Sequence, residues 1–439
     1  MSPRGAAAVA CVLSAALVAR ADDWPGWLGA GRDSVWRETG IVEAFPAGGP
    51  KVLWRAAVAA GYAGPAVAAG RVYVPDFKIA DGTVQNDPGA RVKLRGVERL
   101  HCLDAKTGKT LWVHEHPTTY QISYPSGPRC TPAVADGKVW ALGAEGWLVC
   151  LDAATGKVIW AHDLQTKYAA KTPIWGFCGH PLVDGPRLIV TVGGPGSVVV
   201  AFDKNTGKEI WKALSAREPG YGPPVIIEHA GVRQLLLWHA EAVNSLNPNT
   251  GAVYWSVPLA PDYGMSIAVP RKAGDHLFCG GINHKAAMLK LSSDKPGATV
   301  AWKADPNTGL GPVNATPYLE GDHLYGVDRD GQLRCVEIAT GKRVWETFAP
   351  TTGSRRANSA TAFLVKHAAG RFFLFNERGE LILAKLSPSG YEEISRAKLL
   401  EPTGEAFGRS VVWSHPAFAD KCVFVRNDKE IVCVSLAAK

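Results

Sequence analysis

The chain has 439 residues, 46% hydrophobic and 20% charged, a globular balance that excludes an intrinsically disordered protein. Its formal charge of +8 is mild and no Lys/Arg block exceeds three or four positions, so no electrostatic footprint for nucleic acid exists. The 47 Gly, 30 Pro and 15 Trp favour a turn-rich β structure with flat aromatic anchors.

Residues 1–21 come first and read as a secretory signal peptide. Arg4 supplies the positive start, residues 5–18 the short apolar run, and Ala19-Arg20-Ala21 a small-x-small cleavage site. Cleavage near Ala21 leaves a mature chain beginning near Asp22. The apolar run is too short to span a bilayer and no later run approaches twenty residues, so no transmembrane segment is expected. Cys11 lacks the setting of a lipoprotein signal. The expected product is a lipid-free periplasmic or secreted monomer, with an N-terminal extension over 22–50 and one domain over 51–439.

Within that domain one pattern recurs: "LHCLDAKTGKTLW" (100–112), "LVCLDAATGKVIW" (148–160), "VVAFDKNTGKEIW" (199–211), "VNSLNPNTGAVYW" (243–255) and "LRCVEIATGKRVW" (333–345). Aligned on the turn glycine, the copies fall at Gly108, Gly156, Gly207, Gly251, Gly297, Gly341 and Gly390, in steps of 44 to 51 residues. Each step holds short apolar runs ended by Gly or Asp-Gly, as in "CTPAVADG", "KVWALGAEG", "WLVCLDAATG" and "KVIWAHDL". No run has helical spacing long enough for a helix. Four strands repeated at about 45 residues make a β-propeller blade.

The motif then explains itself. Asp104 opens a turn that Thr107 and Gly108 close where positive φ is needed, and Trp112 lies on the outer strand against the neighbouring blade. Trp160, Trp211, Trp255, Trp302 and Trp345 recur as the same blade-to-blade bolt. The C-terminus offers three strands without a fourth, while "KVLWRAA" (51–57) is an outer strand with Trp54 and no inner partners. A ring closes without bare edges, so the N-terminal strand completes the last blade. The fold class is all-β: an eight-bladed propeller of four-stranded blades.

Two local departures stand out. Blade one inserts a long loop over 78–98, basic through Lys78, Arg91, Lys93 and Arg95, and a candidate surface for a protein partner or small ligand. Cys102, Cys150, Cys335 and Cys433 occupy equivalent strand positions, too far apart for disulfides, and read as small buried side chains. Cys130 and Cys178 open successive blades and are the one pair to test.

The repeat Ala/Leu-x-Asp-x-x-Thr-Gly-Lys-x-x-Trp resembles the tryptophan-docking motif of pyrroloquinoline-quinone (PQQ) alcohol dehydrogenases and of the BamB propeller of outer-membrane-protein assembly. The opening "DWPGWLGAGRDSVWRETG" with "GPKVLW" is similar to the start of exported PQQ-like propellers. The resemblance implies the fold over 51–439. The quinone enzymes carry a vicinal Cys-Cys pair and many a Cys-x-x-Cys-His haem site, and this sequence has neither.

Propellers bind ligands where the innermost strands converge. One equivalent position reads Gly64, Thr131, His180, Pro223, Ser266, Thr316, Thr361 and His415 around the ring. Two residues earlier it reads Tyr62, Arg129, Cys178, Tyr221, Gly264, Asn314, Ser359 and Trp413, on the same strand face. The candidate channel ligands are therefore Tyr62, Arg129, Trp175, His180, Tyr221, Asn314, Trp413 and His415. His180 and His415 belong to blades three and eight, across the ring, and read as satisfied histidines. The ring has no Asp or Glu, which a calcium site needs; Asp262 is the nearest acid. His114 and His116 lack a third ligand for zinc, and "DRDGQ" (328–332) sits where a strand turn is due. The expectation is a non-catalytic binding or assembly scaffold of BamB type without a cofactor. The alternative is a PQQ-dependent alcohol or sugar dehydrogenase with quinone and calcium in the funnel.

Overall fold

Residues 23–367 and 370–438 are described by the computed structural model, and the signal peptide read over 1–21 lies outside the described residues. The short apolar runs fold into eight sheets that form the blades of a propeller, seven of four strands and one, blade seven, of four strands joined by Val35–Trp36 of the extension. Blade one uses Ala66–Ala68, Arg71–Asp81, Val92–Asp104 and Thr110–Ile122, innermost strand first. Blades two to seven repeat that order with four consecutive strands each. The eighth takes Ala417–Ala419, Cys422–Arg426 and Glu430–Ser435 from the C-terminus and its outer strand, Val52–Ala57, from the N-terminus. Val52 pairs with Val434 and Ala57 with Glu430, which closes the ring. Among the described residues no helix is long and apolar enough to cross a membrane.

The repeated motif works through one turn and one ring contact. Asp104 Oδ1 accepts both the N–H and the hydroxyl of Thr107 at 2.8 Å, and Gly108 follows at φ 70°. Asp152 with Thr155 and Asp203 with Thr206 repeat the arrangement. A Cβ on Gly156 would stand 2.7 Å from the Trp112 ring, and one on Gly207 2.7 Å from Trp160. Each of the indoles of Trp54, Trp112, Trp160, Trp211 and Trp302 thus lies on the Thr-Gly turn of the next blade. The docking N–H donates to a carbonyl of that blade: Trp54 to Ala105 at 2.9 Å, Trp160 to Lys204 at 3.1 Å, Trp345 to Ser387 at 2.8 Å. A small residue stands opposite in register, Cys433 across from Trp54, Cys102 from Trp112, Cys150 from Trp160 and Cys335 from Trp345. All four cysteines are buried free thiols. Trp255 departs from the pattern and donates to Gln234 Oε1 at 3.0 Å, since the following Gly297 is not left-handed.

Three features differ from or add to the sequence expectation. The insertion at 78–98 is largely not a loop. Its flanks prolong the second and third strands of blade one, the outer strand follows to Ile122, and residues 82–91 alone make the tip. Phe77 and Tyr120 stack at 4.0 Å and join Leu94, Ile122 and Ala144 in a separate small core, which makes the extra length fold as sheet. One five-residue helix, Leu164–Tyr168, links blades two and three. Asp163 caps it by accepting from the N–H groups of Gln165 and Thr166. A helix this short leaves no periodicity to read.

The N-terminal extension laps around one end of the channel. Trp24 exchanges two backbone hydrogen bonds of 2.8 Å with Val67 of blade one, and Pro25 accepts from Val134 of blade two. Arg32 donates to Pro181 and His180 of blade three. Arg271 of blade five returns two bonds to the carbonyls of Arg32 and Asp33. Val35–Trp36 pairs in parallel with the inner strand of blade seven, and Val42 donates to Leu436 of blade eight.

Candidate functional site

The inner strands converge on a cavity of about 840 Å³ at the propeller axis, on the face where each outer strand connects to the next inner strand. Its position follows from the fold: eight inner strands begin there, and the extension blocks the other end. Trp27 makes the floor, stacked on His180 at 4.7 Å and edge-on to His415 at 5.9 Å. Pro88 and Gly89, from the tip of the blade-one hairpin, reach the wall. Arg91 anchors that hairpin by donating to the carbonyls of Gln121 and Thr172 at 2.8 and 2.9 Å.

All eight sequence candidates line this one cavity: Tyr62, Arg129, Trp175 and His180 together with Tyr221, Asn314, Trp413 and His415. The ring position shared by Tyr62, Arg129, Cys178, Tyr221, Gly264, Asn314, Ser359 and Trp413 faces it in every blade. Of the other equivalent position, His180, Pro223, Thr316 and His415 line the cavity, whereas Thr131, Ser266 and Thr361 are buried off it.

His180 and His415 are not apart across the ring. Their centroids lie 6.3 Å from each other because the axis is narrow at the floor. His180 Nδ1 accepts from the Thr131 N–H at 2.8 Å, whereas His415 Nε2 has no partner. Burial, with His415 and Arg32 nearby, holds His180 well below the usual imidazole value. Burial takes His415 down to about 3. Both rings are neutral at pH 7. Their folded pKa values lie below the unfolded value near 6.5, so stability falls as pH drops from there towards 3. At pH 5 the His415 contribution should be lower than at pH 7 by ~2 kcal/mol. Urea titrations at both pH values measure this, and His415→Phe should flatten the dependence.

Charge on the wall is uneven. Its cations are Arg129, Arg217 and Arg329, and its carboxylate is Glu218. Arg129 donates to the carbonyls of Ser123, Tyr124 and Gly127 and lies 5.0 Å over the Tyr62 ring. Arg329 bonds to the side-chain amides of Asn283 and Asn358. Asp262, the acid nearest in sequence, instead accepts from Asn283 at 3.0 Å and faces Lys285. Behind Trp413, Glu377 is held by Arg409 at 2.8 and 3.0 Å.

The sequence reading missed Trp27, Tyr124, Arg217, Glu218, Tyr263, Arg329 and Phe407, all on the cavity wall. They sit in connections and in the extension, outside the repeat. Other candidates resolve as structure. Asp328–Gln332 is a strand turn, with Asp328 N donating to Gln332 O and its carboxylate paired to Arg334. His116 stacks on Trp147 at 4.3 Å. Cys130 and Cys178 are free thiols, and burial raises both, Cys178 to about 12.

Comparison with known proteins gives a consistent family. The curated outer membrane protein assembly factor BamB of Shewanella oneidensis is 25% identical over 166 residues, 35% of this chain and 40% of that protein. The match thus spans less than half of that relative's length. BamB from Moraxella catarrhalis superposes with a TM-score of 0.55 at 14% identity, covering 88% of this chain and 97% of that one. Quinohemoprotein alcohol dehydrogenase from Comamonas testosteroni superposes at 0.59 with 14% identity, covering 95% and 81%. At these identities the likeness is one of fold. The family model described as outer membrane protein assembly factor BamB matches residues 96–230 and 239–439, well over half of the sequence. With that match on eight blades bolted by docking tryptophans, the chain belongs to the PQQ-like propeller family of the outer membrane protein assembly factor BamB.

Proposed function

We propose that this protein is an exported, non-catalytic binding scaffold of the periplasm or cell exterior, and that its working surface is the axial cavity with the blade-one hairpin beside it. The observation that carries the reading is the make-up of the cavity. It is blind at the floor and aromatic on much of its wall, and Glu218 is the one carboxylate among its described lining residues. His180 and His415 are buried and neutral, Glu377 is paired to Arg409, and Asp262 is turned to Asn283 and Lys285. Among the described lining residues no carboxylate is hydrogen-bonded to an imidazole or to a second carboxylate, the kind of pairing that poises a general base.

A quinone–calcium centre fits these residues poorly. Calcium takes six to eight oxygen ligands, normally with several carboxylates. The wall supplies Glu218, and among the described residues no group of three or more His, Cys, Asp or Glu converges. Protein mixed with PQQ and calcium should oxidise none of a broad panel of alcohols and sugars in a dye-linked assay. Turnover that disappears in Glu218→Gln or Asp262→Ala would overturn the scaffold reading in favour of a dehydrogenase.

A further inference from the structure

The cavity is two-sided, and the order of the blades says how. Blades eight, one, two, three and four contribute Phe407, Trp413, Tyr62, Tyr124, Trp175 and Tyr221. Blades six and seven, across the axis, contribute Asn314, Thr316, Arg329, Asn358 and Ser359. One arc offers ring faces, with Arg129, Arg217 and Glu218 among them, and the other offers amides, hydroxyls and the Arg329 guanidinium.

The ring geometry narrows the ligand. Tyr124 and Trp413 lie 5.9 Å apart with planes at 52°, Trp175 and Tyr221 5.3 Å apart at 54°, and Phe407 and Trp413 6.4 Å apart at 55°. Tilted rings make a curved wall, whereas a flat aromatic ligand is held by parallel faces. A curved aromatic wall suits a puckered ring that is apolar on one face and hydroxylated on its edges. The opposite arc suits those hydroxyls. Asn314 spends one donor on a long 3.4 Å bond to Ser359 O, which leaves its amide capacity largely open. Trp27 Nε1, Tyr124 Oη and His415 Nε2 are buried polar atoms without partners on residues of the same wall. The volume of about 840 Å³ accommodates two or three sugar rings.

The charge narrows it further. Three arginines face one glutamate on the wall, and neither Arg129 nor Arg329 bonds to a carboxylate. Guanidinium groups left without acids match a carboxylate by two parallel bonds. We propose that the cavity binds a short acidic oligosaccharide, with its pyranose faces on the Tyr62–Tyr124–Trp413 arc and a uronate carboxylate at Arg329. This rests on the reading of the cavity as a binding site without turnover.

The test uses purified full-length protein, trigalacturonate and its methyl ester, which keeps the sugar rings and removes the charge. Calorimetry at low salt should show trigalacturonate binding at least tenfold tighter than the ester, with quenching of tryptophan emission. Arg329→Gln should shrink that preference to less than threefold, and Tyr62→Ala should weaken both ligands; a circular-dichroism melt confirms that each variant is folded. Equal binding of acid and ester overturns the uronate assignment, and binding of neither overturns the carbohydrate assignment. If neither sugar binds while other compounds quench the same tryptophans without turnover, the scaffold reading stands alone. Oxidation of the sugar in the dye-linked assay would sink the scaffold reading instead.

Discussion

Removal of residues 51–57 should abolish folding and leave aggregates on size-exclusion chromatography. Two losses combine. Glu430–Ser435, the third strand of blade eight, would carry a row of unpaired backbone groups on a long apolar edge, a template for association with other chains. Trp54 would vanish from the Thr-Gly turn of blade one, where a Cβ on Gly108 would stand 2.6 Å from its ring. The same seam carries Arg426, a fully buried guanidinium that donates to the carbonyls of Ala59, Pro75 and Asn427 and so ties blade eight to blade one. Trp54→Ala separates the two losses. It keeps the strand and should cost what the other docking positions cost, about 3–5 kcal/mol. A truncated protein that melts like the full-length chain would show that the N-terminal strand does not close the ring.

Trp160→Ala should destabilise the protein by about 3–5 kcal/mol in a denaturant titration. The indole is 8% exposed, its N–H reaches Lys204 O at 3.1 Å, and its ring covers Gly207. Truncation opens a cavity between blades two and three and removes one of the two indole donors to that carbonyl, the other being Trp140 Nε1 at 3.1 Å. Trp147 is the control within the same blade. It is only half-buried, stacks on His116 and makes no hydrogen bond through its indole, so Trp147→Ala should cost under about 2 kcal/mol. Small and equal effects at both positions would contradict the role assigned to the docking residue.

The amino-acid sequence by itself determined the repeat, the turn chemistry, the docking tryptophans, the eighth blade and its closure, and a ring of inner-strand positions that all face the cavity. Those features are legible because they are local and recur. An Asp, a Thr and a Gly at fixed spacing make one turn, and the Trp that follows always meets the same surface on the next blade. The cavity itself was decided by tertiary structure. Trp27 became its floor through contacts with His180 and His415, residues more than 150 and 380 positions away, for which the extension has no repeating counterpart. The 78–98 insertion reads as a loop because only its packing on Phe77, Tyr120 and Ala144 makes it sheet. His180 and His415 were assigned to distant blades correctly, but the width of the axis, set by how eight blades pack, brings their rings to 6.3 Å. A period in the chain reports what each blade does to its neighbour; contacts made across the ring have no period, and only the folded ring shows them.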